Sequence, residues 1–144
     1  METSMNHFLL FQIDDQNFAI NLNDIERVVR AVEVTQVPSC DKYILGIVDV
    51  QGDVIQAINT RKLLGLLERE TELSDQFIIV KVSGKTAILV VDSVLGVSDL
   101  PLQSISVEKN HSKPAAFIDS AARFRDSLVL LINLEKLVSL IEQF

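Results

Sequence analysis

Residues 49 to 65 read DVQGDVIQAINTRKLLG, and residues 123 to 139 read RFRDSLVLLINLEKLVS. Both pass from a turn through an apolar run to Ile-Asn and then to Lys-Leu. From Ile58-Asn59 to Leu63-Leu64 the match to Ile132-Asn133 to Leu137-Val138 has no gap, each residue moving 74 positions (58 to 132, 64 to 138). Such a repeat restricts the fold strongly. A supersecondary unit that leaves an apolar face uncovered can bury it against its own copy.

The repeat extends upstream. FLLFQI at residues 8 to 13 is apolar on both faces, and FAINL at residues 18 to 22 follows the turn formers DDQN. FIIVKV at residues 77 to 82, a Ser83-Gly84 turn and TAILVV at residues 86 to 91 form the second such pair. Runs of this length bounded by turn residues predict strand hairpins. Phe8 to Ile13 then corresponds to Phe77 to Val82, Ala19-Ile20 to Ala87-Ile88, and Ile25 and Val28 to Val94 and Val97, with a one-residue slip at the turns.

Between the hairpins, Asn23 and Asp24 precede Ile25, Val28 and Val29 at helical spacing, which predicts a turn or two of helix. Residues 31 to 37 are strand-like up to Pro38, which has no N–H for a ladder. Gly52 accepts positive φ without a steric penalty, so Gln51-Gly52-Asp53 predicts a tight hairpin. Asn59 and Thr60 cap a short helix with Leu63, Leu64 and Leu67 on its apolar side, and Asn133 opens a closing helix carrying Leu134, Leu137, Val138 and Ile141. Each half holds about five short strands, a number that suits a small closed barrel because closure hides the edges. The expectation is one domain over residues 7 to 144, mainly β, built as two packed barrels with a change of lobe in the polar stretch of residues 68 to 76.

Composition narrows the function. With 48% apolar and 23% charged residues the chain is an ordinary globular sequence, long enough at 144 residues for a real core. A net charge of -7 repels a phosphate backbone, which argues against nucleic acid. The lone Cys40 excludes an internal disulfide, and with only His7 and His111 beside it no metal site has the required spacing. The start METSMNHF lacks a signal sequence's basic and apolar regions, and no apolar run spans a bilayer, so a cytoplasmic protein is expected. An enzyme would need a nucleophile, a base and an orienting group together, whereas His111 sits in a polar loop and Cys40-Asp41 lacks an adjacent histidine. No glycine-rich phosphate loop exists, and no cofactor is expected.

The order FLLFQIDDQNFAINLNDI, VP, YILGIVDVQGDVIQAINTRKLLG, AILVVDSVLGV, LVLLINLEKLV resembles the CheW-like adaptor domains of bacterial chemosensory arrays, from about His7 to Leu140. The resemblance implies two SH3-like five-stranded barrels, no catalysis, and a scaffold that binds the regulatory domain of a CheA-type histidine kinase and the cytoplasmic tip of methyl-accepting chemoreceptors. Carried onto this chain, Ile25, Arg27, Val28, Asp49, Val50, Gln51 and Gly52 form the kinase-type surface. Gly46, Val91, Asp92 and Val94 line a groove for a receptor helix. The competing readings are ordinary: core positions for Ile25, Val28, Val94 and Val97, turn chemistry for Gly52 and Asp92, and a solvated helix flank for Arg61 and Lys62.

The departures are specific. The family's Asn-Leu-Arg-Gly is Asp49-Val50-Gln51-Gly52 here, and its Val-x-Glu-Ile is Ile25-Glu26-Arg27-Val28. Gln56 and Asn59 stand where the following Pro and Asp are usual, while Arg61 is kept. Loss of one member of an ion pair strands a charge, so the two changes together predict Arg27 beside Gln51 with a hydrogen bond or solvation in place of the pair. The alternatives are an adaptor of a divergent array or type IV pilus system, and a barrel with a small ligand between its lobes.

Overall fold

The computed structural model describes residues 7–38, 41–100, 103–104 and 117–139. In chain order it contains β1 (His7–Ile13), β2 (Gln16–Asn21), a 3-10 turn (Leu22–Asp24), β3 (Ile25–Arg30), β4 (Ile44–Val50), β5 (Asp53–Ile58) and α1 (Thr60–Leu64). There follow β6 (Gln76–Val82), β7 (Lys85–Val91), β8 (Ser93–Asp99), β9 (Gln103–Ser104), β10 (Ile118–Phe124), β11 (Ser127–Ile132) and α2 (Leu134–Ser139). Cys40 and His111 lie outside the described residues.

The strands make two sheets, ordered β8-β1-β2-β11-β10-β9 and β3-β6-β7-β5-β4. The expected change of lobe at residues 68 to 76 is therefore corrected: β5 and β6, on either side of that connector, belong to the same sheet. The chain crosses from one sheet to the other at Leu22–Asp24 and again at Asp92. One lobe combines the β6–β7 hairpin with β3, β4 and β5, and the other combines the β1–β2 hairpin with β8, β9, β10 and β11.

Every pairing occurs twice. Phe8↔Asn21 recurs as Phe77↔Val90, each residue moving 69 positions (8 to 77, 21 to 90), so the hairpins share one register and the anticipated one-residue slip does not exist. Ile25↔Val80 recurs as Val94↔Phe11, and both ladders skip the next residue, Glu26 in one and Leu95 in the other. Ile44↔Ile58 and Gly46↔Ala57 recur as Ile118↔Ile132 and Ser120↔Leu131, again with a bulge in the same place. Parallel pairs complete each sheet: Gln56↔Ala87 matches Leu130↔Phe18.

Both sheets close. After β3 the chain returns to β4, where Thr35 and Ile47 exchange N–H···O bonds of 2.9 and 2.8 Å. β9 does the same in the other lobe by pairing with β10, so the sixth strand there is the closing piece of a five-stranded barrel. Only Thr35 of residues 31 to 37 is bridged, less strand than the valine-rich sequence suggests. Gly46 permits this closure: a Cβ there would stand 2.2 Å from the Thr35 carbonyl oxygen. The close approach that glycine allows is made by the chain's own backbone.

Three clusters of apolar side chains fill the molecule. Each barrel has its own, around Phe8, Leu10 and Val129 in one and Phe77, Ile79 and Val48 in the other. The third lies between the lobes and is the largest, with alternate residues of both hairpins (Leu9, Phe11 and Ile13; Ile78, Val80 and Val82) meeting Leu63, Leu64, Leu134 and Leu137 of the helices. Phe11 and Phe18, directly opposite across β1 and β2, stack with centroids 5.8 Å apart. A hairpin apolar on both faces is what a strand pair shared by two cores requires.

Two local expectations are overturned. Ile25, Val28 and Val29 form strand, not helix, because β-branched residues pairing with β6 gain more than an isolated turn of helix supplies. Leu67 is exposed, because Gly65 in the left-handed conformation ends α1 at Leu64. The caps hold as expected at Asn59 and Asn133, which accept the N–H groups of Lys62 and Lys136 at 3.1 Å.

Replacing Gly46 with alanine is predicted to destabilise the protein by about 3 kcal/mol, since backbone rather than a flexible side chain must move. Urea unfolding measures this, and wild-type stability in Gly46→Ala would show that the barrel does not close at Thr35.

Candidate functional site

The β4–β5 hairpin is a two-residue turn with both central residues at positive φ, 51° at Gln51 and 94° at Gly52. Asp49 accepts the Gly52 N–H at 2.9 Å and fixes the turn. Arg27 on β3 donates from Nη1 to Gln51 Oε1 at 2.8 Å, as the paired substitutions predict. The bond joins the two edge strands of one barrel across its open end. Ile25 and Val28 on β3 are half-buried against the cluster between the lobes, Val50 is buried, and Val54, just past the turn, is 65% exposed. Of the seven residues assigned to the kinase-type surface, Arg27, Asp49, Gln51 and Gly52 are joined by hydrogen bonds at one barrel end, Ile25 and Val28 pack toward the core between the lobes, and Val50 belongs to the barrel core.

The residues assigned to the receptor groove separate. Val91 is 1% exposed and lies in the core between the lobes, and Gly46 is buried under Thr35, so neither offers a side chain to a partner. Val94 is half-buried against the same core. Side chains from both lobes pack against one another in the space between them. Leu95 and Val97, both at least half exposed on the edge strand β8, form the apolar surface beside these positions. Leu95 is the bulged residue, and nothing in periodicity alone marks it.

Asp92 sits at the second crossing between the sheets and gathers four segments. Its Oδ2 accepts the Asp14 N–H at 2.7 Å from the β1–β2 turn. Arg61 on α1 donates to it at 2.8 and 3.1 Å, and also reaches Asp14 Oδ1 at 3.0 Å and the Leu67 carbonyl at 2.9 Å. Arg69 in the connector bonds Asp92 at 2.8 Å and holds Asp75 with two further bonds. Arg61 is mostly covered, its side chain 11% exposed, so it is the hub of a charged cluster rather than a solvated helix flank. Asp75, 3% exposed, is satisfied by Arg69 and by the Glu72 N–H at 2.8 Å.

Burial pushes the Asp92 carboxyl up, but the Asp14 N–H and the guanidinium groups of Arg61 and Arg69 outweigh it and hold the group below the usual carboxylate range. A lowered pKa means that the unfolded chain binds the proton more tightly. The stabilisation is therefore complete above pH 3.8, the ordinary value, and is lost as pH falls further. Asp24 acts in the opposite sense, since burial and the neighbouring Glu135 push its carboxyl up. Asp92→Asn is predicted to cost about 1–3 kcal/mol at neutral pH and to flatten the acid limb of the stability profile, measured by chemical unfolding at a series of pH values. An unchanged acid limb would show that Asp92 is not tied to the cluster in solution.

No helix among the described residues is long and apolar enough to cross a membrane. Residues 7–142 match the family model described as "CheW-like domain". The chain is 26% identical over 135 residues to "Chemotaxis protein CheW" of Thermotoga maritima, covering 90% of this chain and 85% of that one. It is 27% identical over 139 residues to "Probable chemotaxis protein CheW" of Rhizobium etli, covering 91% and 86%. The fold superposes on the crystal structure of scaffolding protein TtCheW from Thermoanaerobacter tengcongensis with a TM-score of 0.78 at 23% identity, over 90% of this chain and 89% of that one. With the match running through both barrels and both crossings, this chain belongs to the CheW-like domain family.

Proposed function

We propose that this protein is a non-catalytic adaptor of a bacterial chemosensory array, working in the cytoplasm to couple methyl-accepting chemoreceptors to a CheA-type histidine kinase. The observation that carries the reading is the family match over residues 7–142, which takes in every strand of both lobes. An adaptor has to present rigid, separate surfaces to different partners, and two closed barrels fixed by a common core have that property.

The kinase-type contact is assigned to the end of the β3–β7 barrel, where Arg27, Asp49, Gln51 and Gly52 stand near the exposed Val54, together with the half-buried Ile25 and Val28 of β3. An apolar centre ringed by polar groups is the usual anatomy of a specific interface. The receptor contact is assigned to the side of the molecule where Asp92 and Val94 meet β8, with Leu95 and Val97 as its apolar part in place of the buried Val91 and Gly46. A receptor helix laying one apolar stripe there needs such a face.

The Arg27–Gln51 bond supports weak kinase coupling, because the surface presents a cation on β3 and a neutral group at the turn, the reverse of the family's arrangement. The test is isothermal titration against a CheA regulatory domain. Wild type is expected to bind weakly, Gln51→Arg alone to place two guanidinium groups together and gain little, and Gln51→Arg with Arg27→Glu to bind about tenfold more tightly, a change of about 1.4 kcal/mol. If none of the three proteins binds, the kinase partner is wrong whatever the fold.

A further inference from the structure

A hollow of about 620 Å³ lies between residues 32–36 and the connector of residues 68–73, and its lining shares no residue with either assigned surface. Its floor and walls include Val32, Val34, Leu45 and Leu73. Leu73 is 79% exposed and Val32 is 45% exposed, an unusual placement for large aliphatic side chains in a chain that buries so many others. Glu33, Glu68, Glu70 and Glu72 also line it. The one cation in the lining, Arg69, is engaged by Asp75 and Asp92 and lies 3.8 Å from Glu72.

The backbone here is open as well. Thr35 spends both its N–H and its C=O on Ile47, so the strand's alternation turns those of Val34 and Gln36 away from β4. Among the described residues neither makes a backbone hydrogen bond. The connector is held in place opposite them, because Arg69 bonds the buried Asp75 and the Ala31 N–H bonds the Asp75 carbonyl at 3.1 Å. The groove is thus a preformed slot with backbone groups that are unpaired among the described residues on one side, aliphatic side chains beneath, and four carboxylates around it.

We propose that this groove takes an extended segment of a partner protein in which apolar residues alternate with Lys or Arg. The segment adds as a strand to residues 32–36, with its apolar side chains on Val32, Val34, Leu45 and Leu73 and its cations toward the four glutamates. Strand addition supplies affinity through main-chain bonds and specificity through alternate side chains. The alternation follows from the edge geometry and the sign from the carboxylates. This site is independent of the kinase and receptor surfaces, and binding to it is read on the isolated protein.

The experiment is fluorescence anisotropy of a labelled ten-residue peptide alternating Val and Lys, added to the full chain. Saturable binding is expected, weakened at least tenfold by Glu33→Lys with Glu70→Lys and weakened further at high salt. The Val-Glu analogue and a Val-Lys peptide N-methylated at alternate residues are expected not to bind. Both substituted glutamates are exposed, and Leu73→Ser, equally exposed, is a second variant expected to weaken binding without unfolding. No binding, equal binding of the N-methylated or Val-Glu peptide, or indifference to both sets of substitutions overturns the proposal. A self-associated protein that Glu33→Lys with Glu70→Lys dissociates would assign the groove to a second copy and overturn it too.

Discussion

The fold depends on two strand hairpins, β1–β2 and β6–β7, that are buried on both faces. Each belongs to the barrel formed largely by the other copy of the repeat, and the backs of both hairpins meet in the middle. Burying a large aliphatic or aromatic side chain contributes about 1.5–3 kcal/mol. Among the described residues the cluster between the lobes contains twenty buried residues, against eight and six in the barrels, so most of that contribution arises only when both lobes are present. The lobes are therefore halves of one cooperative unit rather than domains joined by a linker.

That dependence explains which features were legible in the sequence. The duplication, the hairpins, the Gln51-Gly52 turn and the two asparagine caps are local patterns, each contained within a few residues, and the structure has them where the residues indicate. The Arg27–Gln51 contact was legible for a different reason: two departures from one family pattern compensate each other chemically, and the bond at 2.8 Å joins them. The exchange of strands was not legible. A repeat boundary and a lobe boundary coincide in most simple duplications, and nothing in Glu68 to Gln76 reveals that the strands on either side share a sheet. The choice of partner for β3, whether β1 or β6, is decided by which closure buries both faces of the hairpins.

The same reasoning accounts for the site residues. Val91 and Val50 have the composition of contact residues and the spacing of core, and on strands with both faces covered the spacing carries no information about exposure. Arg61 looked like surface because arginine usually is. Its burial required Asp14, Asp92 and the Leu67 carbonyl, which come from three separate segments. Leu95 is exposed because of a bulge, and its counterpart Glu26 in the other lobe is exposed at the same place in the ladder. One backbone irregularity thus presents an apolar residue on one barrel and an acidic residue on the other.

Asp92 ties these observations together. It occupies a crossing between the sheets, where its own N–H bonds the Gln12 carbonyl of β1 at 3.1 Å. The carboxylate also bonds the turn of one hairpin, the first turn of α1 and the connector, which fixes the edge strand β8 relative to the β3–β7 barrel. The bond network reaches the wall of the acidic groove through Arg69 and Asp75, and Thr60 extends the lock by accepting the Val90 N–H at 3.1 Å. Polar cores of this kind are fully satisfied or costly. Because all its members are paired, the cluster holds the relative position of the two lobes with little play, and a partner seated on one barrel meets a surface on the other whose orientation is already set.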